Sequence, residues 1–353
     1  MESVRAHPEE GNDADIVITS EVSSAAGDPN LWVDLRHKVM KIVENYEPID
    51  SSDDTITVLS VFAENLPKRG QVVLWSEITR YGKDHAKMRQ LRNNLVDAIL
   101  IPMRKSSGLS SDVISQPVDE SAPDEIRQSI VDIGSQDRAS DFRGDCLKRD
   151  NNKCVVTGRT EIDLPQFKLM PRLPRLLLGP TECAHIIPFK LRKFRCDSLE
   201  VSNRTTVWWT IHRYFPDLAC ITAESINQVE NGFTIFDTLH KHFDNFLLAF
   251  EPKTGCGQAN RYNVRWFAGL SSMSLGIDIP DEIHLTSVDP QIPLPNPAFF
   301  DAHHRVARIL DVSGIGGKIW GIERDIEEDP ENLASDGSTN VASVIYRRML
   351  TNL

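Results

Sequence analysis

The chain of 353 residues lacks several features that mark whole classes of proteins. Its six cysteines include no C-x-x-C pair, which excludes a disulfide scaffold and argues against a zinc ribbon. No apolar run approaches the roughly 20 residues that a membrane span needs. The first residues lack the apolar core of a signal peptide. We therefore expect an intracellular protein, in the cytoplasm or the nucleus, with no membrane partner.

Positive charge is also scarce, because 39 Lys and Arg residues face 51 Asp and Glu residues and the net charge is −12. The deficit is not uniform, since residues 141–250 hold 15 basic and 13 acidic residues. Seven basic residues and the single acid Glu182 lie in one short stretch: Lys168, Arg172, Arg175, Lys190, Arg192, Lys193 and Arg195. This basic island predicts an anionic partner for that region, and a solvated basic face explains the charge alone equally well.

Composition and periodicity divide the chain into five segments. Apolar residues at four-residue spacing, from Leu31 through Leu35 to Val39, predict a helical domain after a polar start. The predicted segments are a disordered arm at 1–29, a helical domain at 30–104, an acidic Ser/Pro linker at 105–140, a second domain at 141–325 and an acidic tail with a short helix at 326–353. Residues 251–325 are too apolar for a tail, so we expect short strands and helices there that widen the core or shape a pocket.

Two short motifs lie inside the second domain. His185 ends a strand-like segment that Pro188 terminates. Asn231-Gly232 predicts a tight turn and is followed by the strand-like residues 233–236. The next helix carries His240 and Asp244, which share one face because they are four residues apart.

This order of residues resembles the HNH endonucleases, and most of all the HNH-containing proteins common in filamentous fungi. Those proteins open with Cys-x-x-Thr-Gly, here residues 154–158, and continue with Ala-His-Ile-x-Pro, here 184–188. They close with Asn-Gly, a strand and His-x-x-x-Asp, here 231–244. The resemblance covers about residues 142–255. It implies an α+β fold, with an N-terminal helical domain, a ββα-metal core, a helical insertion and a C-terminal extension.

The resemblance also implies metal-dependent hydrolysis of phosphodiester bonds. His185 would be the general base that takes a proton from water, and Asn231 would orient its ring through a side-chain or backbone oxygen. His240 and Asp244 would hold one divalent ion, either Mg²⁺, Mn²⁺, Ni²⁺ or Zn²⁺. Basic residues would contact DNA phosphates without reading bases: Arg172, Arg175, Lys190, Arg192, Lys193 and Arg195.

Two features depart from the family pattern. Ala184 stands where many active HNH enzymes carry a third metal ligand, and Glu182 or the Cys183 thiolate could supply one instead. The 46-residue step from His185 to Asn231 is long. We predict that it forms a helical insertion, which could grip DNA, cover the site or mediate a homodimer.

Several histidines outside the motif have structural interpretations. We expect His242 on the surface or in packing contacts, His212 in a buried aromatic helix, and His303 and His304 as structural residues of one helix. Two other functions remain open for the chain as a whole. One is different chemistry on a small organic substrate, as in fungal secondary metabolism, and the other is a catalytically degenerate binding protein.

Overall fold

The computed structural model describes residues 29–104, 142–164, 177–192 and 198–328. The predicted arm up to residue 28, the linker and the tail beyond residue 328 lie outside the described residues. So do five of the seven residues of the basic island: Lys168, Arg172, Arg175, Lys193 and Arg195. None of the helices in the described ranges combines the length and the apolar character needed to cross a membrane.

The N-terminal part consists of helices whose apolar stripes face one another. Their bounds are α1 Pro29–Glu44, α2 Thr55–Asn65, α3 Lys68–Tyr81, α4 His85–Leu95 and α5 Ile101–Arg104. A π-helical turn, Val96–Leu100, joins α4 to α5, and the helix continues through Pro102 to Arg104. The wider turn accommodates a proline ring that has no N–H to donate.

The middle of the chain contains the short strands and the predicted insertion. The elements are α6 Phe142–Arg149, β1 Thr160–Glu161, β2 Leu178–Gly179, β3 Thr181–His185, α7 Ser198–Tyr214, β4 Gly232–Phe236 and α8 Asp237–Asp244. β3 pairs with β4 in antiparallel register, with His185 opposite Gly232, and α8 follows β4 directly. The insertion between β3 and β4 is helical, because α7 and several 3-10 turns fill its described part.

The C-terminal part packs a second sheet against a long helix. The remaining elements are β5 Leu248–Pro252, β6 Arg261–Trp266, β7 Glu282–His284, α9 Pro297–Val312 and α10 Ile315–Glu328. β5, β6 and β7 form an antiparallel sheet in that order, and α9 packs on β5. The prediction of short strands and helices after residue 251 is confirmed, and the mixed helix and sheet content is that of an α+β protein.

The N-terminal helices and the rest of the described chain share one hydrophobic cluster. Helix α3 approaches α7 so closely that a Cβ on Gly70 would lie 2.0 Å from the Tyr214 carbonyl oxygen. Glu77 of α3 accepts hydrogen bonds from Arg213 and Tyr214 of α7. Two aromatic residues of α7, Trp208 and Tyr214, are at most 2% exposed and belong to the core.

Candidate active site

The strands β3 and β4 and the helix α8 place three predicted site residues around one cleft. Leu239 and Phe243 bury one face of α8 completely, and the helix packs with this face on the two strands. The neighbouring face carries His240 and Asp244. Together with His185 they line a cleft of about 390 Å³. Leu239 and Phe243 lie four residues apart on the buried face of α8. Their burial therefore determines where His240 and Asp244 point.

The His185 ring is half-buried and held from two directions. It stacks on the Phe142 ring with 4.2 Å between centroids, and its Nε2 lies 2.9 Å from Asn227 Oδ1. Because an amide oxygen only accepts, Nε2 carries the proton and Nδ1 carries the lone pair. Burial lowers the pKa of His185 below its usual value, and the Asn227 contact and the charge of Asp244 oppose this only in part. The ring is therefore neutral near pH 7.

Asn231 is completely buried and does not use its side chain on the His185 ring. Its Oδ1 accepts the Ile187 N–H at 2.8 Å, and its Nδ2 donates to the carbonyl oxygens of Ile187 and Ile226. Its own carbonyl accepts the Ile186 N–H. Asn231 thus fixes the backbone that follows β3, while the direct partner of the ring is Asn227. No motif marked Asn227, because it lies in a 3-10 turn of the insertion.

Gly232 is not part of a tight turn, which corrects the expectation from the Asn-Gly pair. Its backbone is extended and it begins β4 opposite His185. A Cβ at this position would lie 2.3 Å from the Phe142 ring and 3.0 Å from Cys146 Sγ. The glycine is therefore required for space, because it admits the ring that stacks on His185.

His240 lies between two carboxylates. Its Nδ1 donates a hydrogen bond to Glu182 Oε2 of β3, and its Nε2 is 3.3 Å from Asp244 Oδ2 one helical turn away. Burial acts to lower the pKa of His240, but the hydrogen bonds and charges of Asp244 and Glu182 outweigh it and raise the pKa. Glu182 and Asp244 thus contact opposite nitrogens of the ring.

Cys183 lies on the same face of β3 as His185, lines the cleft, and interacts with Cys146 of α6. The hydrogen bond with Cys146 and burial both raise the pKa of the Cys183 thiol. The thiol stays protonated near pH 7, and protonated thiols are poor metal ligands. Across the described ranges, no group of three or more His, Cys, Asp or Glu side chains is arranged to hold a metal ion.

Three basic side chains line the same cleft: Arg104, Lys190 and Lys241. Arg104 ends α5 and is almost fully buried, and it donates to the Gly316 carbonyl oxygen at the start of α10. Arg192 lies beside this cleft, where its guanidinium is 5.8 Å from the centre of the Phe189 ring. No sequence motif marks Arg104, which ends a helix 81 residues before His185.

His212, His242 and His303 make structural contacts, as the sequence predicts. His303 is completely buried between the Phe243 and Phe246 rings and donates to the Phe243 carbonyl oxygen at 3.1 Å. His212 donates to the Ile221 carbonyl oxygen, and His242 donates to the Thr238 carbonyl oxygen within α8. None of these three rings lines the cleft.

A buried ion pair braces the strands behind the site. Arg149 of α6 is fully buried, pairs with Asp150, and donates to the carbonyl oxygens of Gly232 and Val229. Asp150 in turn accepts the Thr234 N–H at 2.8 Å. This network attaches α6 to β4, and α6 also supplies the Phe142 ring under His185.

Comparison with known proteins gives one match. A family model described as HNH endonuclease matches residues 154–251, which include β3, β4 and α8. No curated protein and no solved structure matches the chain. Residues 154–251 are therefore similar to an HNH endonuclease domain, and this similarity suggests a nuclease-type function in general.

Proposed function

We propose that the protein is a metal-dependent endonuclease that hydrolyses phosphodiester bonds of DNA. The observation that carries this proposal is the meeting of His185, His240 and Asp244 at one cleft that basic side chains line. The family match over residues 154–251 supports the same chemistry. Lys190 and Lys241 would contact backbone phosphates there, which requires no base-specific contact.

His240 and Asp244 fit a divalent ion. Ligands at about 2.1 Å from Mg²⁺ or Zn²⁺ lie roughly 3.0 to 3.4 Å apart, and His240 Nε2 lies 3.3 Å from Asp244 Oδ2. With two protein ligands, water and substrate phosphate would complete the coordination of Mg²⁺, Mn²⁺, Ni²⁺ or Zn²⁺. When bound, such an ion supplies Lewis-acid neutralisation of charge on the phosphate.

Glu182 has a different role in this proposal from the third ligand that the sequence suggests. It accepts from His240 Nδ1, on the side of the ring away from Asp244. A carboxylate at this position holds the tautomer and the orientation of a ligating histidine and raises its basicity. Glu182 therefore orients His240.

His185 acts as the general base. Asn227 holds Nε2–H, which leaves the Nδ1 lone pair to accept a proton from the attacking water. The lowered pKa keeps this lone pair available at neutral pH. Phe142 fixes the plane of the ring by stacking on it.

The test combines metal binding with nicking of supercoiled plasmid. We expect calorimetry with Mn²⁺ or Mg²⁺ to show binding to the wild type and none to the double variant His240→Ala, Asp244→Ala. His185→Ala should keep metal binding and lose nicking by at least about 100-fold, as for removal of a general base. His242→Ala, on the same helix but outside the cleft, is the control and should nick like the wild type. A wild type that neither binds metal nor nicks would contradict the proposal.

The small-molecule alternative requires enclosed, apolar surroundings for His185. The cleft instead combines His185 with two lysines, an arginine and the carboxylate of Asp244. These charges suit a polyanion better than an apolar metabolite. The surroundings of His185 therefore favour a phosphodiester substrate.

A further inference from the structure

A second cavity adjoins the catalytic cleft. It has a volume of about 530 Å³, within the range of small-ligand pockets. Arg104 and Asn245 line both cavities. A ligand with its anionic group near Arg104 in the cleft could therefore place an attached group in this second cavity, which we call the aromatic pocket.

The lining of the aromatic pocket is mainly apolar. Three rings line it, those of Phe246, Phe267 and Trp320. Trp320 is 55% exposed, although it is a large apolar residue. Polar atoms come from Asn245 and from Asp311, whose carboxylate also accepts the Ala268 N–H at 2.9 Å. Flat aromatic surface with a few polar groups is what binds a nucleobase, which has π faces and a hydrogen-bonding edge.

Two wall residues have an unusual backbone. Phe246 and Ala268 have φ values of 59° and 55°, in the left-handed region that non-glycine residues seldom adopt. Phe246 is kept there by packing, since its ring stacks on His303 with 4.3 Å between centroids. Strained residues of this kind concentrate at ligand-binding sites.

Two glycines at the start of α10 keep the pocket open. A Cβ on Gly316 would lie 3.3 Å from Arg104 Nη1, so this glycine lets the guanidinium reach the helix backbone. Around Gly317, no described atom outside the helix's own backbone lies within 4 Å of a Cβ position. Gly317 lines the pocket, and a side chain at this position would have room to extend.

We propose that the aromatic pocket binds one unstacked nucleobase of the substrate, while the phosphate beside it lies in the catalytic cleft. The proposal rests on the proposed nuclease function and specifies its substrate as single-stranded or locally unpaired nucleic acid. Stacked, paired bases cannot enter the pocket. The continuity of the two cavities through Arg104 and Asn245 is what joins base and phosphate in one ligand.

The test fills the pocket and measures binding without catalysis. Fluorescence anisotropy with EDTA present gives the dissociation constants of a labelled single-stranded oligonucleotide and of the same sequence as a blunt duplex. Gly317→Leu adds a side chain to the empty space. Gly321→Leu is the matched control, because Gly321 lies on the same helix, also has no described atom outside the helix's own backbone within 4 Å of a Cβ, and does not line the pocket. Leucine is the better helix former, so both variants should fold.

We expect the wild type to bind the single strand more tightly than the duplex. Gly317→Leu should weaken single-strand binding about tenfold, in the range for loss of one stacked base, and leave duplex binding and Gly321→Leu unchanged. Equal affinities of Gly317→Leu and wild type for the single strand would overturn the proposal, and so would an equal loss on both DNA forms. The proposal would also be overturned if Gly317→Leu bound DNA like the wild type but melted at a lower temperature than Gly321→Leu. That result would mean that a segment of the chain itself occupies the pocket.

These outcomes separate the pocket from the nuclease function. If Gly317→Leu binds single strands normally while the wild type nicks plasmid, only the pocket proposal fails. If the wild type neither nicks plasmid nor binds either form of DNA, both proposals fail.

Discussion

Two histidines that line the same cleft, His185 and His240, have opposite surroundings. His185 has a neutral amide and an aromatic ring as neighbours, and burial lowers its pKa. His240 has two carboxylates, and its pKa is raised even though burial acts against this. Environments that separate the pKa values of paired groups assign them different tasks. A neutral base and a ligand oriented by carboxylates are the tasks that this pair suits.

The lowered pKa of His185 predicts a pH dependence. The rate of a reaction that needs the neutral ring rises as pH rises through the pKa and is level above it. The acid limb of the nicking rate should therefore have its midpoint below 6.5, the ordinary histidine value. Single-turnover nicking between pH 5 and pH 8 with saturating metal measures it. An acid limb centred above 6.5 would contradict the assignment, as would an unchanged limb in His185→Ala.

Two asparagines separate positioning from stability. Asn227→Ala removes the partner of the His185 ring and should lower the nicking rate about 10-fold or more, as for other outer-sphere partners. Asn227 makes this contact from a turn, so the midpoint of urea unfolding should change little. Asn231→Ala leaves three buried backbone groups of Ile187 and Ile226 without partners, which should destabilise the fold by roughly 3 kcal/mol. The reverse pattern would mean that Asn231 is the direct orienting residue.

At the scale of elements, α6 determines the position of the strand pair. Its Phe142 lies under His185, its Cys146 contacts the Cys183 side of β3, and its Arg149 bonds to β4. Arg149 donates to two buried carbonyl oxygens and pairs with the buried Asp150 carboxylate, which also accepts the Thr234 N–H. The helix therefore couples the stability of the fold to the geometry of the base.

Removing the guanidinium of Arg149 tests this coupling. Arg149→Met keeps much of the volume but leaves Asp150 as an uncompensated buried charge, which should destabilise the protein by about 3 to 5 kcal/mol. Urea unfolding measures the loss. Lys148→Met is the adjacent control, and it should change stability little because the Lys148 side chain is 67% exposed. Similar unfolding midpoints for the two variants would show that the buried network is not needed for stability.

Sequence spacing predicts the parts of the site that lie on one element or on adjacent ones. The pairing of His240 with Asp244 follows from the sequence because a helix brings residues four apart together, and His185 is marked by the distinctive segment around it. Asn227 is 42 residues from its partner His185, and Glu182 is 58 residues from His240. Their contacts arise from tertiary packing, which no local period encodes. The role of Gly232 is also beyond local sequence patterns, since the ring that it admits belongs to α6.

At the scale of the whole molecule, an acidic chain presents a cleft with three basic side chains. The distribution of charge along the sequence predicts a basic region at residues 168–195. Lys190 belongs to this region and lines the cleft. Arg104 comes from the N-terminal helices instead. The predicted boundaries between segments remain predictions, whereas the hydrophobic cluster runs through both the helices and the HNH-like domain.

The position of Arg104 has a consequence for how much of the chain the candidate site requires. The HNH-like stretch begins at Cys154, so a fragment cut there would lose Phe142, Arg149 and Arg104 together. The fragment would keep His185, His240 and Asp244. It would lose the ring that stacks on His185, the buried ion pair behind the strands and the arginine that lines both cavities. Residues 154–251 therefore do not contain the whole candidate site, and transferring the site to another protein would require the helices on its N-terminal side as well.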